Sequence, residues 1–270
     1  MTDLALDQFC HICESRCELF GTGLVLNKYN VRFFRCPQCR FIQSEKPFWL
    51  GEAYEIPIAK ADIGYIGRNI DMSKITRALI SLAFDPNKRF VDYGGGYGMF
   101  VRLMRDAGFD FYRYDRHCAN LFAQGFDWND LPDNDRQSFE LVTAFEVFEH
   151  LPNPLQEIQS MLKIAPSILF STVLLPEPAP RLGDWWYHAL EYGQHIAFYS
   201  QKSLAIIAKK FGLHLCSKGD SIHLLSRREV SPALFRLVTH PALACAINYF
   251  RSRPSLLPAD FLKITGHSLK

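Results

Sequence analysis

The segment Phe90-Val-Asp-Tyr-Gly-Gly-Gly-Tyr-Gly98 constrains this chain more than any other. Phe90 and Val91 close a short apolar strand, and Asp92 stands at its carboxyl tip. Gly94, Gly95, Gly96 and Gly98 then call for a turn with positive φ and no Cβ in the way. From Met99 to Arg105 the apolar residues recur at helical spacing. A strand that enters a glycine turn and leaves as a helix belongs to an open α/β sheet, where ligands sit beyond the carboxyl ends of the strands. The acid precedes the glycines here, unlike the dinucleotide pattern Gly-x-Gly-x-x-Gly, in which a glycine leads.

The same alternation continues along the chain. Ser73 to Phe84 reads as a helix with Ile75, Leu79, Ile80 and Leu82 on one face, after a connector over 47–72 rich in aromatics and glycine. Phe111 to Asp115 is the next strand after Arg89 to Tyr93. Its terminal acid, 23 residues beyond Asp92, is placed either to accept two ribose hydroxyls or to cap a turn. Leu141 to Glu146 and the apolar run Ser167 to Leu174 are further strands, the second fit for the middle of a parallel sheet. Pro154 opens a helix at its N1 position and Ser200 caps another that runs to Lys210. Leu213 to Ser217 and Ser221 to Ser226 close the sheet as an antiparallel pair.

Five of the eight cysteines lie in the first 39 residues. Cys10-His-Ile-Cys13 and Cys36-Pro-Gln-Cys39 are two Cys-x-x-Cys knuckles with 22 residues between them, a spacing that suits a closed tetrahedral Zn²⁺ site of four thiolates. A hairpin around 27–30 separates the knuckles, so residues 1–46 read as a zinc ribbon; a disulfide pair is the alternative. Residues 1–50 hold six Lys+Arg and five Asp+Glu, so the ribbon lacks the clustered positive charge that nucleic-acid binding needs. The whole chain carries a net charge of only +2, which argues against a polyanionic partner. Without a basic, apolar leader or a membrane-length apolar run, the expected compartment is the cytoplasm.

These motifs resemble those of class I S-adenosylmethionine-dependent methyltransferases. Asp92 to Gly98 matches that family's glycine turn, and Glu146-Val-Phe-Glu-His-Leu-Pro-Asn-Pro154 is similar to its Glu-x-x-Glu-His-x-x-x-Pro segment. His195-Ile-Ala-Phe-Tyr-Ser-Gln-Lys-Ser-Leu204 resembles a stretch found in many bacterial members. The resemblance covers residues 1 to about 226 and implies a doubly wound, mostly parallel, seven-stranded Rossmann-like sheet over 73–226. It implies that Asp92, Gly94, Gly96, Gly98, Asp115, Phe145 and Glu146 hold S-adenosylmethionine, with Asp127 and Trp128 near the adenine. His150 and His195 lie beyond strand ends, where a base could take a proton from the acceptor. Alternatively Glu149 and His150 only fix their loop through hydrogen bonds. Trp185, Trp186, Tyr187 and Tyr192 gather in a short stretch that could form a lid on a sugar or a flat ring, or else plain cover for the sheet.

The expected reaction is therefore methyl transfer to a small molecule, a sugar, glycan or glycolipid precursor, at oxygen or at carbon. The chain ends sooner after the sheet than the larger sugar C-methyltransferases it resembles, which places O-methylation on an equal footing. An RNA methyltransferase with the ribbon as reader, and a cofactor-binding protein without turnover, are the alternatives. Residues 227–270 hold seven Lys+Arg against two Asp+Glu around an apolar middle. They are expected to form a helical appendage that packs on the body or on a second subunit, with attachment to a membrane surface as the other reading.

Overall fold

The computed structural model describes residues 8–55, 58, 62–136 and 138–269. The chain begins with an antiparallel hairpin, β1 (Glu18–Val25) and β2 (Tyr29–Arg35), and a short third strand β3 (Ile42–Ser44). Helices α1 (Leu50–Ala53) and α2 (Tyr65–Ala83) lead into β4 (Arg89–Tyr93), α3 (Met99–Asp106), β5 (Asp110–Tyr114), β6 (Phe139–Phe145), α4 (Pro154–Ile164) and β7 (Ser167–Ser171). After β8 (Ala197–Phe198) come α5 (Gln201–Phe211), the hairpin of β9 (His214–Lys218) and β10 (Ile222–Ser226), and α6 (Pro232–Val238), α7 (Pro241–Phe250) and α8 (Leu257–Thr265).

The main sheet has the order β5-β4-β6-β7-β10-β9. Strands β5, β4, β6 and β7 are parallel, and β10 runs antiparallel to both of its neighbours. Ile168, Leu169 and Phe170 are wholly buried, as a parallel strand covered on both faces requires. From β4 the chain crosses to β5 on one side, then returns to β6 on the other. The loops after β4 and β6 therefore part from each other, and a crevice opens between them.

Two expectations are corrected. The sheet has six strands, where seven were expected. Beyond β5 the chain makes one parallel bridge, Arg113 to Asp127. Asp127 then caps a 3₁₀ turn at Trp128–Asp130 and Pro132 follows, so the backbone turns away before a ladder can form. Helix α2 starts at Tyr65, well before Ser73. Its first turns leave Ile66 and Ile70 exposed, so no apolar stripe announces them in the sequence.

The N-terminal unit is welded to the body. β3 pairs with β8, Ile42 with Phe198 and Gln43 with Ala197, so one small sheet contains strands from both ends of the chain. The Ser200 hydroxyl that caps α5 also donates to the Cys39 carbonyl at 2.6 Å. The Cys10 and Cys39 sulfurs lie 3.4 Å apart, as do those of Cys13 and Cys36. That is far longer than a disulfide bond of about 2.05 Å. It is near the spacing of thiolates that share a tetrahedral ion at about 2.3 Å. The backbone N–H groups of Ile12 and Cys39 point at the Cys10 and Cys36 sulfurs, both at 3.4 Å.

Residues 227–269 pack on the body through α7 against α2 and through a buried ion cluster under α8. Asp260 accepts from Arg105 at 2.7 and 2.8 Å and from Arg102 at 2.8 Å. Burial alone would raise its carboxyl, but Arg105 and Arg102 hold it below the usual range. Among the described residues no helix is long and apolar enough to cross a membrane.

Asp260 tests this attachment. Asp260→Ala would remove two hydrogen bonds from the Arg105 guanidinium, whose side chain is only 6% exposed and which would keep Asp110 as its carboxylate partner, and should cost about 2–3 kcal/mol in a urea titration at pH 7. Because the native carboxyl is depressed, its contribution is present at neutral pH and lost as pH falls through the carboxylate range. The gap between wild type and variant should therefore narrow toward pH 3.

Candidate active site

The crevice between the β4 and β6 loops opens into a cavity of about 960 Å³. Its floor is the glycine turn. Gly94 and Gly96 have φ of +71° and +54°, open to glycine at little strain. A Cβ at Gly94 would come within 2.6 Å of Val147, and one at Gly95 within 2.9 Å of Asp92 Oδ2. The turn thus brings bare backbone against the cavity. Gly98 lies behind it: its φ of +85° starts α3, and a Cβ there would meet Asn120 and Ala123.

Two carboxylates face this end of the cavity. Asp92 is buried at the tip of β4, where its carboxylate accepts from the Thr143 hydroxyl at 2.6 Å. Burial pushes its carboxyl up to about 7. Asp115 accepts from the Gly96 N–H at 2.9 Å and from the N–H groups of His117 and Cys118 at 2.7 Å. It therefore ties the β4 and β5 loops together. Three of roughly four acceptor positions are used, which leaves room for one ligand hydroxyl where two were expected.

The opposite wall carries histidines. His150 lies in the 3₁₀ turn after β6, and its Nδ1 meets the Tyr54 hydroxyl at 3.1 Å. Tyr54 in turn stacks on His117, ring centres 4.4 Å apart. His195 sits edge-on to His150 at 4.9 Å, and its Nδ1 meets the Tyr187 carbonyl at 2.7 Å. The Ile196 N–H donates to the Glu149 carbonyl at 2.9 Å, and this bond holds the two histidine segments side by side. Burial lowers both imidazoles, with His195 also pushing down His150; His195 itself falls to about 4. Both are neutral at pH 7 and offer lone pairs.

Of the other residues singled out in the sequence, Phe145, Glu146, Trp186, Tyr187 and Tyr192 line the cavity. Glu146 has a left-handed φ of 53°, held by an exchange of hydrogen bonds with Ser171. Trp186 stands 75% exposed at the rim, whereas Tyr187 turns its hydroxyl inward to the Val173 N–H. Trp185 is off the cavity and packs on His188 and Phe198 as cover for the small sheet. Asp127 and Trp128 also lie outside the cavity lining. Both Asp127 oxygens are taken, by Arg113 and Asn120, and Trp128 packs edge-on against Tyr114. The sequence reading missed Tyr54, Tyr65, Arg68 and His117. For Tyr54 and Tyr65 the one signal was the aromatic composition of the connector, which has no period; Arg68 and His117 carried none. Glu149 is fully buried; neither carboxylate oxygen has a well-formed hydrogen bond among the described residues, and the Tyr187 and Thr172 side chains are the donors that bear on it.

A parallel sheet whose glycine turn and two strand-tip acids open on one crevice defines a class I S-adenosylmethionine-dependent methyltransferase. The chain belongs to the methyltransferase domain family, which matches residues 68–218. Among solved structures it is similar to mitomycin 7-O-methyltransferase, at 18% identity over 67% of this chain and 60% of that one, with a TM-score of 0.39. It is also similar to a methyltransferase of calicheamicin biosynthesis solved with S-adenosylhomocysteine (15%; 66% and 60%; 0.40). A third likeness is to human N-acetylserotonin methyltransferase solved with S-adenosylmethionine (15%; 68% and 60%; 0.42). The chain spans about 60% of the length of each of these three. No curated protein matches it.

The cavity fits the cofactor: bare glycine backbone, a buried acid for an ammonium, and one free acceptor position on Asp115. Asp92 should impose a pH dependence. Ionised Asp92 attracts the ammonium, so affinity for S-adenosylhomocysteine should rise as pH climbs through about 7. In Asp92→Asn it should be weaker and flat over pH 6–8, read by calorimetry. In the free protein the sign is reversed. An acid held protonated in the fold loses stability as pH rises from its unfolded value to about 7.

Proposed function

We propose that the protein transfers a methyl group from S-adenosylmethionine to a small molecule, with a hydroxyl or ring carbon of a sugar, glycan or glycolipid precursor as acceptor. One observation carries this reading. The same cavity has a glycine-and-carboxylate end, fit for the cofactor, and an end walled by His150, His195 and Tyr54. Trp186 and Tyr192 at its edge offer aromatic faces of the kind that pack on sugar C–H groups.

When bound, S-adenosylmethionine supplies a methyl group on a positively charged sulfur. Asp92 would hold its ammonium and Asp115 one ribose hydroxyl. His150 or His195 takes the acceptor proton on a free ring nitrogen. Loss of that proton would leave the acceptor oxygen or carbon with the electron pair that the cofactor's methyl group would meet. Much of the acceleration comes from holding the acceptor in line within a walled cavity.

The four thiolates of Cys10, Cys13, Cys36 and Cys39 are proposed to hold a structural Zn²⁺. The ribbon reaches the site through the β3–β8 pairing, which lies two residues after His195. Removal of zinc by a chelator, or Cys36→Ser, should therefore loosen the histidine wall as well as the ribbon. The expected readout is increased amide exchange at residues 195–200.

Calorimetry with S-adenosylhomocysteine tests the cofactor half. Micromolar-range binding that weakens in Asp115→Ala supports it, and no binding by the wild type removes it. For the acceptor half, His150→Ala and His195→Ala, singly and together, should lower turnover on a methylated acceptor by about 10²–10⁴-fold with cofactor still bound. Unchanged turnover in the double variant would overturn the assignment.

A further inference from the structure

Glu149 is the feature that the cofactor site leaves unexplained. It is fully buried beside the acceptor wall, and neither carboxylate oxygen has a well-formed hydrogen bond among the described residues; only the Tyr187 and Thr172 side chains bear weakly on it. A buried acid left unpaired costs several kcal/mol unless it is protonated or meets a cation. Among the described residues no Lys or Arg forms an ion pair with it; Glu146 and Arg68 act on it through space, and His150 Nε2 lies 3.9 Å from its Oε1.

We propose that Glu149, His150 and His195 form a second metal site, for a divalent cation of the zinc, manganese or iron kind, at the acceptor end of the cavity. Three observations carry it. First, one ligand atom from each residue lies within 4.8 Å of the other two. A single point therefore exists within about 2.8 Å of all three, so small side-chain rotations reach the 2.0–2.2 Å of metal–nitrogen and metal–oxygen bonds. Second, His195 Nδ1 is engaged by the Tyr187 carbonyl, the outer hydrogen bond that sets a ligating histidine's tautomer and leaves Nε2 to a metal, while His150 is held by the Tyr54 hydroxyl at Nδ1 and by the Gln194 backbone. Third, the set is two neutral imidazoles and one carboxylate, with His150 and His195 on the cavity wall and Glu149 behind them. Two histidines and a carboxylate with an open side is the ligand count of catalytic sites, whereas the four-thiolate cluster is closed.

The burial that lowers both histidines favours the neutral, ligating form. An ion here would neutralise Glu149 and present its open position to the cavity. There it would orient an acceptor oxygen and ease removal of that oxygen's proton. The role rests on the methyl-transfer reading above; the binding of the ion does not.

The test uses the full-length protein with its thiolate cluster loaded with zinc, titrated with Co²⁺ in the absence of cofactor and acceptor. The expected result is one further equivalent of bound metal, with visible ligand-field absorption and no thiolate charge-transfer band. Glu149→Gln and His195→Ala should each weaken this binding by about 10–100-fold. S-adenosylhomocysteine affinity, measured on the same samples, checks that the variants are folded. Absence of a second equivalent in the wild type overturns the proposal, as does equal binding in both folded variants. If cobalt binds but S-adenosylhomocysteine does not, the methyl-transfer reading fails and the metal site stands.

Discussion

Two acids are buried at and behind opposite ends of one cavity, and among the described residues neither forms an ion pair with Lys or Arg, although Arg113 acts on Asp92 and Arg68 on Glu149 through space. The Thr143 hydroxyl donates to Asp92, and only the Tyr187 and Thr172 side chains bear on Glu149, without a well-formed hydrogen bond. Burial raises the two acids to about 7 and about 8, with Glu146 adding to the shift at Glu149. A fold that leaves such costs in place is arranged for something that arrives later. At Asp92 the ammonium of S-adenosylmethionine is the fitting counter-charge. At Glu149 the neighbouring histidines make a metal ion the fitting counter-charge.

The framework holds these acids through connections between distant parts of the chain. Asp115 stitches the loops after β4 and β5, while Ile196 and Glu149 stitch the two histidine segments. The cysteine cluster takes part in the same wall. Ser200 caps α5 and at the same time bonds Cys39, so the knuckle, β8 and His195 form one rigid path. Had the ribbon been a tethered module, its metal could not influence the cavity. As an extra sheet that borrows a strand from the catalytic body, it can.

Much of this architecture was legible in local patterns. The glycine turn, the parallel strands, the antiparallel closing pair, the Ser200 cap and the two cysteine knuckles depend on residues within one or two turns of each other. The missing seventh strand was not legible, because a single bridge at Asp127 and a full ladder look alike in a polar segment. Asp127 is claimed by Arg113 and Asn120, and Trp185 by the small sheet, through contacts that no spacing encodes.

The sequence by itself determined where a bare backbone could meet a ligand, because only glycine accepts those dihedrals without strain, and which thiols could share an ion. Only the tertiary structure decided which side chains reach the cavity. Tyr54 meets His150 across 96 residues of sequence, and Glu149 is fully buried without a well-formed hydrogen bond. Burial sets the charge state of an acid or an imidazole, and burial is a property of the folded whole.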